Sequence, residues 1–312
     1  MDDAVIDRSK RRGFLARIGI VALNLITPGL GLIRLNDWRT GVPLLFAPFV
    51  VVILFVFGQG NFPIVGYFSA TIALVLTFIS LAALYLIPIT LTWTRSRVRA
   101  PLKWWSHWYS ILAIAVSVLL LMQFMPPLMQ NFYKGYYLPS DSMAPTAAKN
   151  DKVIADMRWR GPLRRGEVVL FRGPDGVRIS RIAAIEGDRI AMRNGVPIVN
   201  GQPATRTPHG SKIFRGYGVE KPVLILIERL PGETYPHDIF DAGTFEFDNM
   251  EQTLVPEDHF FVLGDNRDFS ADSRVPRSLG GVGMVPLNAL VGRAMYIYWS
   301  DDHDKIGTRF DH

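Results

Sequence analysis

Two serine-bearing segments hold the residue types that could do chemistry in this chain of 312 residues. The first is Pro139-Ser140-Asp141-Ser142-Met143-Ala144-Pro145-Thr146. A serine hydroxyl is a poor nucleophile until a base removes its proton. A carbonyl that it attacks then needs hydrogen-bond donors for its developing negative charge. Pro139 on one side and the Pro145-Thr146 turn on the other give a local frame that can present Ser142, although Ser and Pro are also ordinary turn residues. The second segment is Gly264-Asp265-Asn266-Arg267-Asp268-Phe269-Ser270-Ala271-Asp272-Ser273-Arg274. Its acids and arginines alternate in sign, and arginine forks can hold carboxylates in fixed geometry. There are no cysteines, so a thiolate nucleophile, a disulfide and a cysteine metal site are excluded. No histidine and carboxylate cluster has metal-ligand spacing, and no nucleotide-binding glycine loop is present. No cofactor is expected.

The elements that must position these serines fall into two halves. Up to about residue 130 the chain has few carboxylates and four apolar stretches: Phe14–Leu35, Val42–Phe57, Phe62–Thr92 and Tyr109–Met129. The first is interrupted by Thr27-Pro28-Gly29 and Gly31, and the other three have the length to cross a bilayer. Arg8, Lys10, Arg11 and Arg12 precede the first stretch. The link around its end, with Arg34, Asp37 and Arg39, is weakly basic, Gly58–Asn61 carries no charge, and Arg95, Arg97, Arg99 and Lys103 lie before the last stretch. Positive charge stays on the cytoplasmic side. The pattern therefore predicts a re-entrant or interfacial hairpin at Pro28–Gly31 and three crossings, the last running outward. Four crossings with an outside N-terminus would put Arg8–Arg12 on the disfavoured side. The first stretch is too long and too poor in small residues at its end for a cleaved signal sequence. Trp104, Trp105, Trp108 and Tyr109 read as an interfacial aromatic belt. The net charge of +6 is explained by residues flanking the apolar segments, so no nucleic-acid partner is inferred; the partner surface is the bilayer.

After Met129 the apolar runs shorten. Lys152–Ala155, Glu167–Phe171, Arg178–Ile185, Val196–Val199, Val223–Ile227, His259–Leu263 and Leu290–Trp299 are rich in β-branched and aromatic residues and bounded by turn formers. Asn194-Gly195 and Asn200-Gly201 are hairpin-type turns. The reading is a membrane region over 1–130 and a mainly β exoplasmic domain over 131–312. Residues 203–251, richer in Gly, Pro and charge, read as an inserted subdomain with long loops.

The two serine-bearing segments, in this order and after a membrane region, resemble the type I signal peptidases (family S26), membrane-anchored serine endopeptidases with a Ser-Lys pair. The resemblance covers roughly residues 107–300. It implies coiled β-sheets on a transmembrane anchor, a location in the plasma (inner) membrane with the catalytic-type domain on the periplasmic side, and exported preproteins as substrates, cut after small residues. It implies Ser142 as nucleophile and the Ser140 hydroxyl as an oxyanion donor. It places Met143 along the substrate groove and makes Ser270 the group that orients the base. Asp272, Arg274 and Arg181 become the ionic support. An extended substrate would pair with strand edges before Ser142 and near Asp156–Arg158.

In that family a lysine precedes the arginine matched by Arg181. Here the segment is Arg178-Ile179-Ser180-Arg181-Ile182, so Ser180 stands at the position of the general base. A buried lysine can be neutral and accept a proton; a serine has no useful basicity, and Arg181 stays protonated. His209, His237 and His259 lie elsewhere in the sequence, and Asp141 adjoins the nucleophile. The resemblance implies first a membrane-bound serine endopeptidase that removes signal peptides with Ser142 as nucleophile and a base recruited from elsewhere. The alternatives are an inactive signal-peptide-binding or accessory homologue beside an active paralogue, a specialised single-substrate processing peptidase, and a site silenced at one position.

Overall fold

The computed structural model describes residues 2–58, 66–97, 101–159 and 161–310. The chain folds as two compact units, one of helices up to Met129 and one of strands from Gln130 onward.

The helical unit contains α1 (Asp2–Ile26), the short α2 (Leu30–Arg34), α3 (Trp38–Gly58), α4 (Gly66–Arg95) and α5 (Trp108–Met129). Among the described residues two helices are long and apolar enough to cross a membrane, within Phe78–Arg95 of α4 and Trp108–Met125 of α5. Gly13–Ile26 and Trp38–Val51 are shorter apolar helical segments. Most of the uncharged connector after Gly58 lies outside the described residues.

Where Thr27-Pro28-Gly29 interrupts the first apolar stretch, α1 ends. Gly29 adopts φ 90°, a left-handed conformation that glycine takes at no steric cost. The turn is stitched by one buried side chain. Asn24 Oδ1 accepts the N–H groups of Gly29 (3.0 Å) and Gly31 (3.3 Å), and Asn24 Nδ2 donates to Thr92 Oγ1 of α4 (2.9 Å). A backbone turn in apolar surroundings needs such internal partners. A Cβ at Gly31 would lie 2.7 Å from the Ile20 carbonyl, so only glycine fits beneath α1. Leu30, Ile33, Leu45, Phe49, Ile111, Ala115 and Val118 form the core shared by α2, α3 and α5.

The second unit is built of antiparallel strands, with β-branched and aromatic residues alternating onto buried faces. A seven-stranded sheet has the order β1 (Tyr133–Tyr137), β2 (Lys152–Asp156), β14 (Leu290–Trp299), β3 (Val168–Gly173), β4 (Gly176–Ile185), β12 (His259–Leu263), β13 (Val285–Pro286). A four-stranded sheet runs β11 (Met250–Leu254), β5 (Arg189–Arg193), β6 (Val196–Val199), β7 (Gln202–Pro203). A three-stranded sheet runs β10 (His237–Asp241), β9 (Val219–Arg229), β8 (Thr205–Gly216). The fold is thus a β-sheet domain following N-terminal helices, the architecture that the resemblance implies. The seven strands expected from sequence are all present. The long loops expected between 203 and 251 give way to the β8–β9 hairpin, paired from Thr205↔Arg229 to Gly216↔Val219. Most of β8 is solvent-exposed, so it lacks the alternating apolar pattern that marks a half-buried strand.

The main core lies on one face of the large sheet, where Leu138, Met143, Ala147, Val153, Val168, Leu170 and Ile297 pack together. A second cluster, with Ile190, Val199, Phe261 and Leu263, joins the large sheet to the four-stranded one.

Candidate active site

The two serine-bearing segments come together at the end of β12. Asn266 donates its backbone N–H to the Ser142 carbonyl (3.1 Å), and Asn266 Nδ2 donates to the Asp141 carbonyl (3.0 Å). Gly264 sits at the junction. A Cβ added there would overlap the Ser270 side chain and lie 2.6 Å from the Ser142 carbonyl oxygen. Glycine is therefore what lets the Ser270 hydroxyl and the Ser142 backbone share this spot.

Ser140 and Ser142 are half-buried in the turn after β1, and the Ser140 hydroxyl donates to Ser142 Oγ (3.3 Å). Met143 is only 1% exposed and is packed into the main core. The next residue, Ala144, packs instead against Phe214, Val223 and Phe240 of the three-stranded sheet. The turn is thus pinned from both sides.

Leu263 pairs with Arg181 across β12 and β4, so Ser180 is the residue of β4 next to Arg181 at the end of the pairing where β12 runs into Gly264. Ser180 is buried, and its hydroxyl donates to its neighbour's carbonyl at Ile179 (2.7 Å).

A lattice of paired charges supports this arrangement. Arg181 forks onto Asp265 (Nε to Oδ1 2.9 Å, Nη2 to Oδ2 2.6 Å) and donates to the Gly166 carbonyl (2.7 Å). Thr146 donates its hydroxyl to the same Asp265, tying the serine turn to β4. Asp272 accepts the Gly264 N–H (3.0 Å) and pairs with Arg274 (Nε to Oδ1 2.9 Å, Nη2 to Oδ2 2.9 Å). Arg274 also donates to the Arg267 carbonyl. Arg267 forks onto Glu228 of β9, which Arg206 of β8 also holds (2.8 Å). Burial alone would raise the Glu228 carboxyl, but Arg267 and Arg206 hold it below its ordinary value. Every acid in this lattice is met by a guanidinium, which is what makes such buried charge tolerable.

Sequence reading passed over three participants. Tyr217, with φ 53° at the tip of the β8–β9 hairpin, reaches the serine turn. Its hydroxyl accepts the Asp141 N–H (3.1 Å) and lies within hydrogen-bonding reach of Ser140. Its ring stacks on Phe269 at 5.9 Å. Burial pushes its phenol above the ordinary value, so it is protonated at neutral pH. Gly216-Tyr217-Gly218 between two strands was the available signal, since a two-residue hairpin turn needs positive φ. Lys305 donates to the Pro145 carbonyl (2.6 Å), and burial lowers its pKa. Glu233 forms a buried pair with His237 (Oε1 to Nδ1 2.8 Å) and accepts the Leu230 N–H (2.8 Å).

Glu233, His237, Arg181, Thr146, Pro145 and Lys305 line one cavity of about 420 Å³. His237 Nε2 is buried with no hydrogen-bond partner among the described residues, 3.7 Å from Glu228 and 4.0 Å from Asp265. Burial and the neighbouring arginines hold its pKa well below the ordinary imidazole value. His209 pairs with Asp238 at the surface (3.3 Å), and His259 contacts the Glu257 carbonyl (2.7 Å).

The family profile described as signal peptidase, peptidase S26, matches residues 105–299. That is more than half of the chain, and the chain belongs to this family. It is similar to signal peptidase I S of Bacillus subtilis, 27% identical over 196 residues that cover 62% of this chain and 88% of the relative. It is also similar to signal peptidase I of Rickettsia typhi, 35% identical over 145 residues that cover 44% of this chain and 52% of the relative. Among solved structures, a signal peptidase I from Enterococcus faecalis aligns with 21% identity over 43% of this chain and 97% of its own, with a TM-score of 0.24.

Proposed function

We propose that this chain binds signal-peptide segments of exported preproteins in a signal-peptidase-type site whose proton acceptor is missing. In this reading Ser142 is the nucleophile position, with its own N–H and the Ser140 hydroxyl as oxyanion donors. Ser270 stands ready to orient a base, and Asp272–Arg274 and Arg181–Asp265 form the frame. The observation that carries the reading is the state of position 180. The frame around it is assembled, yet its side chain is a serine whose proton is given to the Ile179 carbonyl. A hydroxyl there cannot take the Ser142 proton. Loss of a base from such a site lowers the rate by about 10⁴–10⁶. The preprotein would add as an extended strand to a sheet edge, with the β domain on the exoplasmic face.

A second reading rests on Lys305. This lysine is bound to the turn that carries Ser142, and burial lowers its pKa, a condition that suits a lysine base. In that case the chain cleaves on its own.

The deciding experiment is cleavage of a model preprotein by the purified full chain, compared with Ser180→Lys, Ser142→Ala and Lys305→Met. The first reading expects no measurable cleavage by the parent, and cleavage by Ser180→Lys that disappears when Ser142→Ala is added. Cleavage by the parent that Lys305→Met abolishes would establish the second. Failure of Ser180→Lys to cleave while still binding the preprotein would overturn the missing-base account.

A further inference from the structure

The helical unit holds an open cavity of about 700 Å³ between α2, α3 and α5. This is within the range of about 300–1,000 Å³ usual for small-molecule sites. Its wall includes Leu45, Phe46, Ile114 and Val118, with Ser117 as its one hydroxyl-bearing residue. Phe46 and Trp38, which also line it, are about half exposed (48% and 51%), so the cavity is open on one side.

Two features at its rim are not those of a greasy seam between helices. Trp105 lines the cavity, and its indole N–H is buried with no hydrogen-bond partner among the described residues. A buried donor of this kind costs free energy until an acceptor reaches it. Both rim tryptophans also carry a cation. The Lys103 ammonium lies 5.0 Å from the Trp105 ring centre, and the Arg39 guanidinium lies 5.9 Å from the Trp38 ring centre. Arg34 donates to the Ser106 carbonyl (2.8 Å), fixing the segment that bears Trp105 against α2. The apolar cavity is thus lined by a buried donor that wants an acceptor and by two tryptophans that each carry a cation.

We propose that this cavity is a binding site for an anionic diacyl phospholipid. One acyl chain fills the slot against Leu45, Ile114 and Val118. An ester or phosphate oxygen accepts the Trp105 N–H, and the headgroup charge sits between Lys103 and Arg39. An apolar peptide helix would fill the slot but bring neither the acceptor nor the negative charge. Tryptophan and basic side chains together mark the headgroup level of a bilayer, where each basic residue contributes about fivefold in affinity for anionic lipid.

The test is native mass spectrometry of the full chain, released from micelles doped with equal amounts of phosphatidylglycerol and phosphatidylcholine. The parent is expected to retain one phosphatidylglycerol in preference to phosphatidylcholine. Ser117→Phe, which fills the slot, is expected to lose both lipids. Arg39→Gln with Lys103→Gln, two exposed sites that leave the helices intact, is expected to lower the phosphatidylglycerol preference about tenfold or more. Equal retention of the two lipids by the parent would overturn the proposal. So would an unchanged preference in the doubly neutralised variant, or retention of an added apolar signal-sequence peptide in place of lipid.

Discussion

Gly264 and Glu233 show how much the site depends on single side chains. Gly264→Ala drives a methyl into the Ser270 side chain and toward the Ser142 carbonyl. Overpacking of this kind costs about 1–3 kcal/mol. Thermal unfolding of the variant should show that loss, and in a Ser180→Lys background its peptidase rate should fall as well. Glu233 titrates unusually. Burial raises its carboxyl to about 7 against the opposing pull of Arg181, so the folded chain favours the protonated form. The unfolded chain ionises near 4.5. Stability attributable to Glu233 is therefore fully present below about pH 4.5 and lost as pH rises through 7. Its neighbour His237 has the opposite sign: a depressed folded pKa gives stability that is lost on acidification below the ordinary value of 6.5. Glu233→Gln keeps an acceptor for Leu230 and a donor for His237 but cannot ionise. It should match the parent near pH 4 and exceed it at pH 8 by about 3 kcal/mol, at about 1.4 kcal/mol per pKa unit. Urea unfolding at the two pH values checks this, and equal stability of the two chains at pH 8 would refute it.

Among the elements, the β8–β9 hairpin does what no single residue could, since it carries Tyr217 to the turn bearing Ser140 and Ser142. Tyr217→Phe keeps the ring stacked on Phe269 and removes the hydroxyl that accepts the Asp141 N–H and reaches Ser140. It is expected to change global stability by about 1 kcal/mol or less and to speed amide exchange at Asp141. Hydrogen exchange read by mass spectrometry over 138–144 decides whether the hairpin tip holds that turn. The elements also show what could be read from the sequence. β2, β3, β4, β12 and β14 have buried faces, so their apolar residues announced them. β8 is exposed on most of its length, β1 is an edge strand with its pattern mostly exposed, and neither carries an alternation to detect. The serine turn and the charged loop were legible because their residue types are rare in combination. Tyr217, Lys305 and Glu233 were not, because each reaches the site through pairing of distant segments: Lys305 meets Pro145 across 160 positions of sequence.

For the molecule as a whole, the charge pattern predicts sidedness, with Arg95–Lys103 in the cytoplasm and the strands outside. The native chain has no cysteine, so single-cysteine variants can be labelled without background. A membrane-impermeant maleimide should react with Asn194→Cys in cells whose inner membrane is intact, and with Arg97→Cys only after that membrane is opened; both positions are exposed. The reverse pattern would invert the topology. The order of synthesis also matters to the helical unit. The Gly29 and Gly31 N–H groups of the turn are satisfied by Asn24, and Asn24 is itself held by Thr92, which follows 68 residues later. During translation that interhelical bond must wait until α4 has left the ribosome, whereas the bonds of Asn24 to Val21, Gly29 and Gly31 lie within the first segment. The hinge is thus set in two stages, a local one closed within the first segment and a second that joins it to α4 once that helix has been made.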